Sequence, residues 1–112
     1  MENSSNNNEI IFARQTTIND IKNDDMKVQI VGKVHKILDE YHFILDDTTG
    51  NIVINTGDID FSFNEGDLIK IIGDLQINLE GDKEIKAEIV NDMKGLNFDY
   101  YLRLYNLKKE FL

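Results

Sequence analysis

From Met26 onward the chain alternates apolar and polar residues with a period of two, in five separate runs. In "MKVQIVGKVHKIL", Val28, Ile30, Gly32 and Val34 share one face, while Lys27, Gln29, Lys33 and His35 fall on the other or at its margin. That pattern predicts a long strand with a glycine inside it. An interior strand glycine marks a bulge or a sharp bend, which a small barrel needs at its corners. Tyr41, Phe43 and Leu45 alternate with His42, Ile44 and Asp46 to give a second strand, and Ile52 and Ile54 alternate with Val53 and Asn55 to give a third. "DLIKIIGDLQIN" is a fourth, again with an interior glycine, Gly73; after the turn "LEGD", "KEIKAEIV" is a fifth. Five short strands without a long intervening helix predict an all-β fold, a five-stranded Greek-key barrel of the OB type.

The connections agree with this. "DDTTG" predicts a hairpin turn in which Asp46 and Asp47 accept hydrogen bonds from turn amides and Gly50 supplies positive φ. Turn chemistry is reason enough for both acids, since a metal would need a third ligand and none stands nearby. In "GDIDFSFNEGD", Phe61 and Phe63 are expected to plug the core. Upstream, "TTINDIKNDD" can hold a helical turn capped by Thr16 or Thr17, with Ile18 and Ile21 facing inward. The first eight residues, "MENSSNNN", are polar and of low complexity, so residues 1–9 are expected to form a disordered tail and residues 10–95 the barrel. Ile10, Ile11 and Phe12 are too apolar to leave in water and should fold back onto the domain.

After Gly95 the period changes. "LNFDYYLRLYNLKKEFL" has helical spacing, which predicts a helix from about Asp99 to Phe111 within a terminal segment, residues 96–112, that serves in oligomerisation. Asn97 or Asp99 can cap its start, and Lys108 and Lys109 suit its C-terminal end. Phe98, Tyr101, Leu102, Tyr105 and Leu112 form one apolar stripe; Tyr100, Leu104, Leu107 and Phe111 form a second on nearly the opposite side. A helix resting on one barrel needs only one stripe. Two stripes predict a helix held between the barrel and a partner helix; the stripes alone do not say which faces the barrel, and the Phe98 stripe is favoured because it begins nearest the fifth strand. The residues expected to share that work are Tyr100, Tyr101, Leu104, Tyr105, Leu107 and Phe111. The competing reading has the N-terminal segment covering the second stripe, or the helix overhanging the barrel.

Composition narrows the function. Hydrophobic residues make up 41% of the 112, enough for one core. There is no cysteine, so disulfides and cysteine-rich zinc sites are excluded. No run of eighteen apolar residues and no signal-peptide core occur, from which a soluble, intracellular chain without membrane contact is expected. Twelve basic residues against twenty-one acidic ones leave a net charge of −9, whereas autonomous nucleic-acid binders draw most of their affinity from phosphate contacts. Any nucleic-acid role must therefore use a local basic patch or a partner. No nucleophile–base pair, phosphate loop or metal cluster is visible, so neither an enzyme nor a cofactor is expected.

Taken together, "YHFILDDTTGNIVI", "GDLIKIIGDL", the fifth strand and "NFDYYLRLYNLKKEF" resemble the OB-fold subunits of eukaryotic replication protein A over roughly Thr17 to Phe111. "DDTTG" is similar to the Asp-Asp-x-Thr-Gly of that family's middle subunit. "FDYYLRLYNL" resembles the small subunit, where a Phe-Asp pair leads into the terminal helix, and the length of the chain also suits the small subunit. Subunits of the related telomere-capping and telomerase-associated complexes share this plan. The resemblance implies a nuclear subunit of a heterotrimer that binds single-stranded DNA in replication, repair or telomere maintenance, joined to other OB-fold subunits by a bundle of C-terminal helices. One departure matters. Strong single-strand binders of the family carry a stacking aromatic just after the third strand, and here that connector reads "INTGDID". Base stacking is worth about 1–3 kcal/mol per base, so weak binding, or binding through the complex, is expected. The remaining candidates for a nucleic-acid groove are Lys33, His35, Tyr41, His42, Lys70 and Lys86, which read equally well as solvated outer strand positions, with Tyr41 possible as core. The alternative function is an autonomous single-stranded DNA or RNA binding module.

Overall fold

The computed structural model describes residues 12–111; the expected tail, together with Ile10, Ile11 and Leu112, lies outside them, and Phe12, expected to fold back onto the domain, is instead exposed. In chain order the elements are β1 (Arg14–Gln15), a 3-10 turn (Ile18–Asp20), β2 (Lys27–Ile37), β3 (His42–Asp46), β4 (Asn51–Asn55), β5 (Leu68–Ile77), β6 (Lys83–Asp92) and α1 (Phe98–Glu110). The sheet runs β1-β2-β3-β4-β6-β5 and closes where β5 pairs with β2. β4 and β6 pair in parallel and the other barrel neighbours antiparallel. This is the closed five-stranded barrel of the OB fold, with a C-terminal helix. The two-residue β1, parallel to the start of β2, was not legible in the periodicity.

The period-two positions fill the barrel. Val28, Ile30, Val34, Phe43, Leu45, Ile54, Ile69, Ile71 and Ile85 are almost fully buried in one cluster. Phe61 stacks on Phe43 with ring centroids 4.6 Å apart, and Phe63 tilts against Phe61 at 5.4 Å, so the connector's aromatics do plug the core. The two strand glycines let strands approach closely. A Cβ on Gly32 would stand 2.9 Å from the Asp46 carbonyl oxygen, and one on Gly73 would stand 2.3 Å from that of Lys86. The bulges themselves lie between Ile72 and Gly73, and between Val34 and Lys36 rather than at Gly32.

The hairpin turn corrects one expectation. Positive φ falls on Thr48 (74°), not on Gly50. Asp46 accepts the Thr48 amide at 2.8 Å, which steadies that conformation. Gly50 instead keeps space for Ile18, whose Cγ2 would stand 3.4 Å from a Cβ there. Asp47 is buried and does more than turn the chain. It accepts from the Thr49 amide (3.0 Å), the Thr49 hydroxyl (2.6 Å) and the Gly50 amide (3.3 Å), and its other oxygen takes the Ile18 amide at 2.8 Å. The 3-10 turn is thus capped by Asp47 of the adjoining β3–β4 hairpin, and not by the side chain of Thr16 or Thr17. Ile18 and Ile21 pack inward as expected.

Candidate functional site

The terminal helix starts at Phe98 because Asn97, in extended conformation, accepts the Tyr100 amide at 3.1 Å. Lys108 and Lys109 occupy its last turn, where cations suit the unpaired carbonyls. Its two stripes are treated differently. Phe98, Tyr101 and Leu102 are half-buried and Tyr105 is 8% exposed. The Gln15 side-chain amide donates to the Tyr101 hydroxyl (3.0 Å), and the Tyr105 hydroxyl donates to Asp20 (2.9 Å). Lys109 reaches the same Asp20 oxygen at 2.9 Å. The hydrogen bond from Lys109, then that from Tyr105, holds the Asp20 carboxyl below its usual range. The helix is therefore moored on β1 and the 3-10 turn, the segment that Asp47 ties to the hairpin.

The other stripe has no cover among the described residues. Tyr100, Leu104, Leu107 and Phe111 are all exposed, Phe111 by 83%. Leu104, Leu107, Lys108 and Phe111 enclose a shallow apolar depression of about 350 Å³. Neighbouring large apolar side chains left in water mark an interaction surface. Of the six residues expected to share the partner helix, Tyr100, Leu104, Leu107 and Phe111 face outward. Tyr101 and Tyr105 are taken up by the barrel side, because their hydroxyls have partners there.

The nucleic-acid candidates are spread over the barrel's outer surface. Lys33 stands opposite Asp46 in register, and with His35, in the β2 bulge, it lines a hollow closed by Phe98 and Asp99. Lys70 lies on β5 opposite Val31 and Asn91. Lys86 lies beside Asn55 on β4 and Asp74 on β5. Tyr41 is half-exposed in the β2–β3 loop, and the adjacent His42 is held by Asp39 at 2.9 Å. Nothing gathers these six into one basic stripe. Lys27 is neutralised by Asp74 at 3.2 Å and by Glu88.

The outer face of β3 and β4 carries a groove between the loops at 38–41 and 78–82. One stretch of it, about 500 Å³, is lined by Leu38, Asp39, His42, Val53, Ile77, Leu79, Glu80 and Glu84 among others, with no lysine or arginine. Past Val53 a second hollow is lined by Ile44, Ile18 and Ile21, with Lys83 as the one cation among the described residues and its chain neighbour Asp82 also in the lining. Periodicity gave no sign of this groove. The only signals were acids beside apolar residues in the two turns, "LDEY" and "LEGD".

No protein-family model matches the chain, and no curated protein matches it. Solved structures do. The telomere capping protein Ten1 of S. pombe superposes with a TM-score of 0.67 at 17% identity, over 88% of this chain and 99% of that one. A chain of the S. pombe Stn1-Ten1 complex gives 0.67 at 17%, over 89% and 94%. A chain of a replication protein A heterotrimer bound to single-stranded DNA gives 0.59 at 15%, over 70% and 66%. At such identities the likeness is one of fold: an OB barrel with, in the first two, nearly the whole length matched.

Proposed function

We propose that this chain is a small, non-catalytic OB-fold subunit of a nuclear complex that handles single-stranded DNA in the manner of replication protein A, and that it joins its partner through the outward stripe of α1. The observation that carries this is the pairing of a moored face, closed by Tyr105, with an apolar face of Tyr100, Leu104, Leu107 and Phe111 that none of the described residues covers. A partner's helix laid along that face would bury it, with the aromatics as the main anchors. The likeness to a Stn1-Ten1 complex and to a replication protein A heterotrimer supports an assembly of OB-fold subunits. The match to Ten1 over 88% of this chain and 99% of that one makes a telomere-capping assembly the first place to look. The net charge of −9, the bare connector after β4 and the scattered lysines favour reaching DNA through the partner.

The test is co-purification of the tagged chain from its own cell, with partners identified by mass. The double substitution Leu104→Asp with Leu107→Asp should leave the barrel folded and abolish recovery of an OB-fold partner, since a carboxylate buried at the interface costs several kcal/mol while one on a solvated surface costs little. Normal assembly by the folded double variant would overturn the proposal. A parallel titration of the purified chain with labelled oligo-dT should show weak binding. Nanomolar affinity near physiological salt would favour an autonomous single-strand binder instead.

A further inference from the structure

The barrel groove between the 38–41 and 78–82 loops has a chemistry of its own. Its walls expose Leu38, Ile77 and Leu79, the last completely solvated. Asp39 and Glu80 stand among them, and the floor holds Glu84, a residue only 6% exposed. One Glu84 oxygen accepts from the side-chain amides of Gln76 (2.8 Å) and Asn55 (3.4 Å); among the described residues its other oxygen has no donor and the carboxylate has no cation. A buried carboxylate without a counter-charge is expensive, and a cation delivered by a ligand would offset that cost. Phosphate would meet three acids here. A base would find, among the described residues that line this stretch, one aromatic ring, that of His42, which Asp39 already holds.

We propose that this groove receives an extended protein segment in which a lysine or arginine is flanked by apolar residues, the cation reaching Glu84 and the apolar side chains resting on Leu38, Ile77 and Leu79. This surface is separate from the α1 stripe and stands whether or not that stripe holds a partner. It gives the barrel a recognition task that matches its acidity.

Fluorescence anisotropy of the full-length chain tests this, with three labelled probes: a short peptide alternating leucine and lysine, its leucine–glutamate counterpart, and oligo-dT. The leucine–lysine peptide should bind, and the other two should not. Glu84→Gln, which keeps a hydrogen-bonding amide in place, should weaken that binding about tenfold or more. Should Glu84→Gln fail to fold, the solvated pair Leu79→Ser with Glu80→Lys reports on the same groove without touching the core, and it should also weaken binding. Asp24→Lys makes the same charge change as Glu80→Lys but lies outside the groove, and should leave affinity nearly unchanged. Equal losses from Asp24→Lys and the groove variants would reduce the binding to general attraction by an acidic protein and overturn the proposal. Preference for oligo-dT would overturn it in favour of nucleic acid, and failure of the leucine–lysine peptide to bind would overturn it outright.

Discussion

The barrel and the terminal helix are held by different kinds of force. Strand contact in the barrel is so close that Gly32 and Gly73 sit against neighbouring backbone, and the core is a single cluster of aliphatic side chains around Phe43. Such packing tolerates little change in volume. The helix rests on β1 and the 3-10 turn through Tyr101, Tyr105 and Lys109, a few polar contacts beside a half-buried stripe. Its attachment can therefore loosen without the barrel opening. On the proposed function that freedom is useful, because a partner on the opposite face could set the helix's final angle.

The contrast breaks most visibly at Gly73. Gly73→Ala would place a methyl group 2.3 Å from the Lys86 carbonyl oxygen and 2.9 Å from the Ala87 Cα, so β5 and β6 must part at their bulge. A loss of about 3 kcal/mol or more is expected, at the upper end of overpacking costs, read as a shift in urea midpoint that barrel and helix probes share. Next comes Asp47, which joins the two regions. Asp47→Ala leaves the Ile18, Thr49 and Gly50 amides without their acceptor and should cost about 2–3 kcal/mol. Because the 3-10 turn is the helix's mooring, α1 amides in this variant should lose exchange protection before those of β2 and β5 do. Simultaneous loss would mean that the helix is part of the barrel's cooperative unit.

The unequal legibility of the two regions has the same origin. Strand and helix periodicity is local, so the five strands, the helix and its two apolar stripes could be read from Val28 to Phe111 without knowing the topology; which stripe meets the barrel could not, because two apolar stripes look alike until the barrel is in place. The mooring could not, since Asp20 and Tyr105 lie 85 residues apart and no spacing rule relates them. The same holds for Asp47 and Ile18, which made a long-range cap look like ordinary turn chemistry. Glu84 shares the alternation of Lys86 and Glu88 in "KEIKAEIV", yet it is buried because β6 pairs in parallel with β4, opposite Val53, and beside Gln76 on β5. Such burial is set by tertiary pairing, to which a period-two pattern is blind.

A smaller change sharpens the comparison from the helix side. Tyr105→Phe keeps the ring in its buried place and removes only the hydroxyl that donates to Asp20. The expected effect is about 1 kcal/mol. It should appear as faster exchange of α1 amides, with the global urea midpoint almost unmoved. A midpoint shift equal to the local effect would show that the helix never opens by itself.

The smallest expected effect lies on the barrel side of the mooring and depends on pH. Arg14 donates from Nε to one oxygen of Asp25 at 2.8 Å and from Nη2 to the other at 2.7 Å, and this paired contact brings the Asp25 carboxyl down to about 2. Because the folded value lies below the unfolded one, near 3.9, the stabilisation is fully present above about pH 5 and is lost as pH falls through the folded value. Arg14 is 39% exposed, so solvent screens the pair and its worth should stay below about 1 kcal/mol. Asp25→Asn keeps the shape and removes the titration. Wild type should exceed this variant in urea midpoint by a constant margin near neutrality, and the gap should close between about pH 4 and pH 2. A gap that persists to pH 2 would assign the contribution of Asp25 to its hydrogen bond from the Lys22 amide (2.7 Å) rather than to its charge. The Asp20 cluster under the helix should respond with the same sign, because Lys109 and Tyr105 lower that carboxyl too. If α1 exchange accelerates over the same interval in which the Asp25 gap closes, acid frees the helix while Gly73 and the aliphatic core still hold the barrel closed.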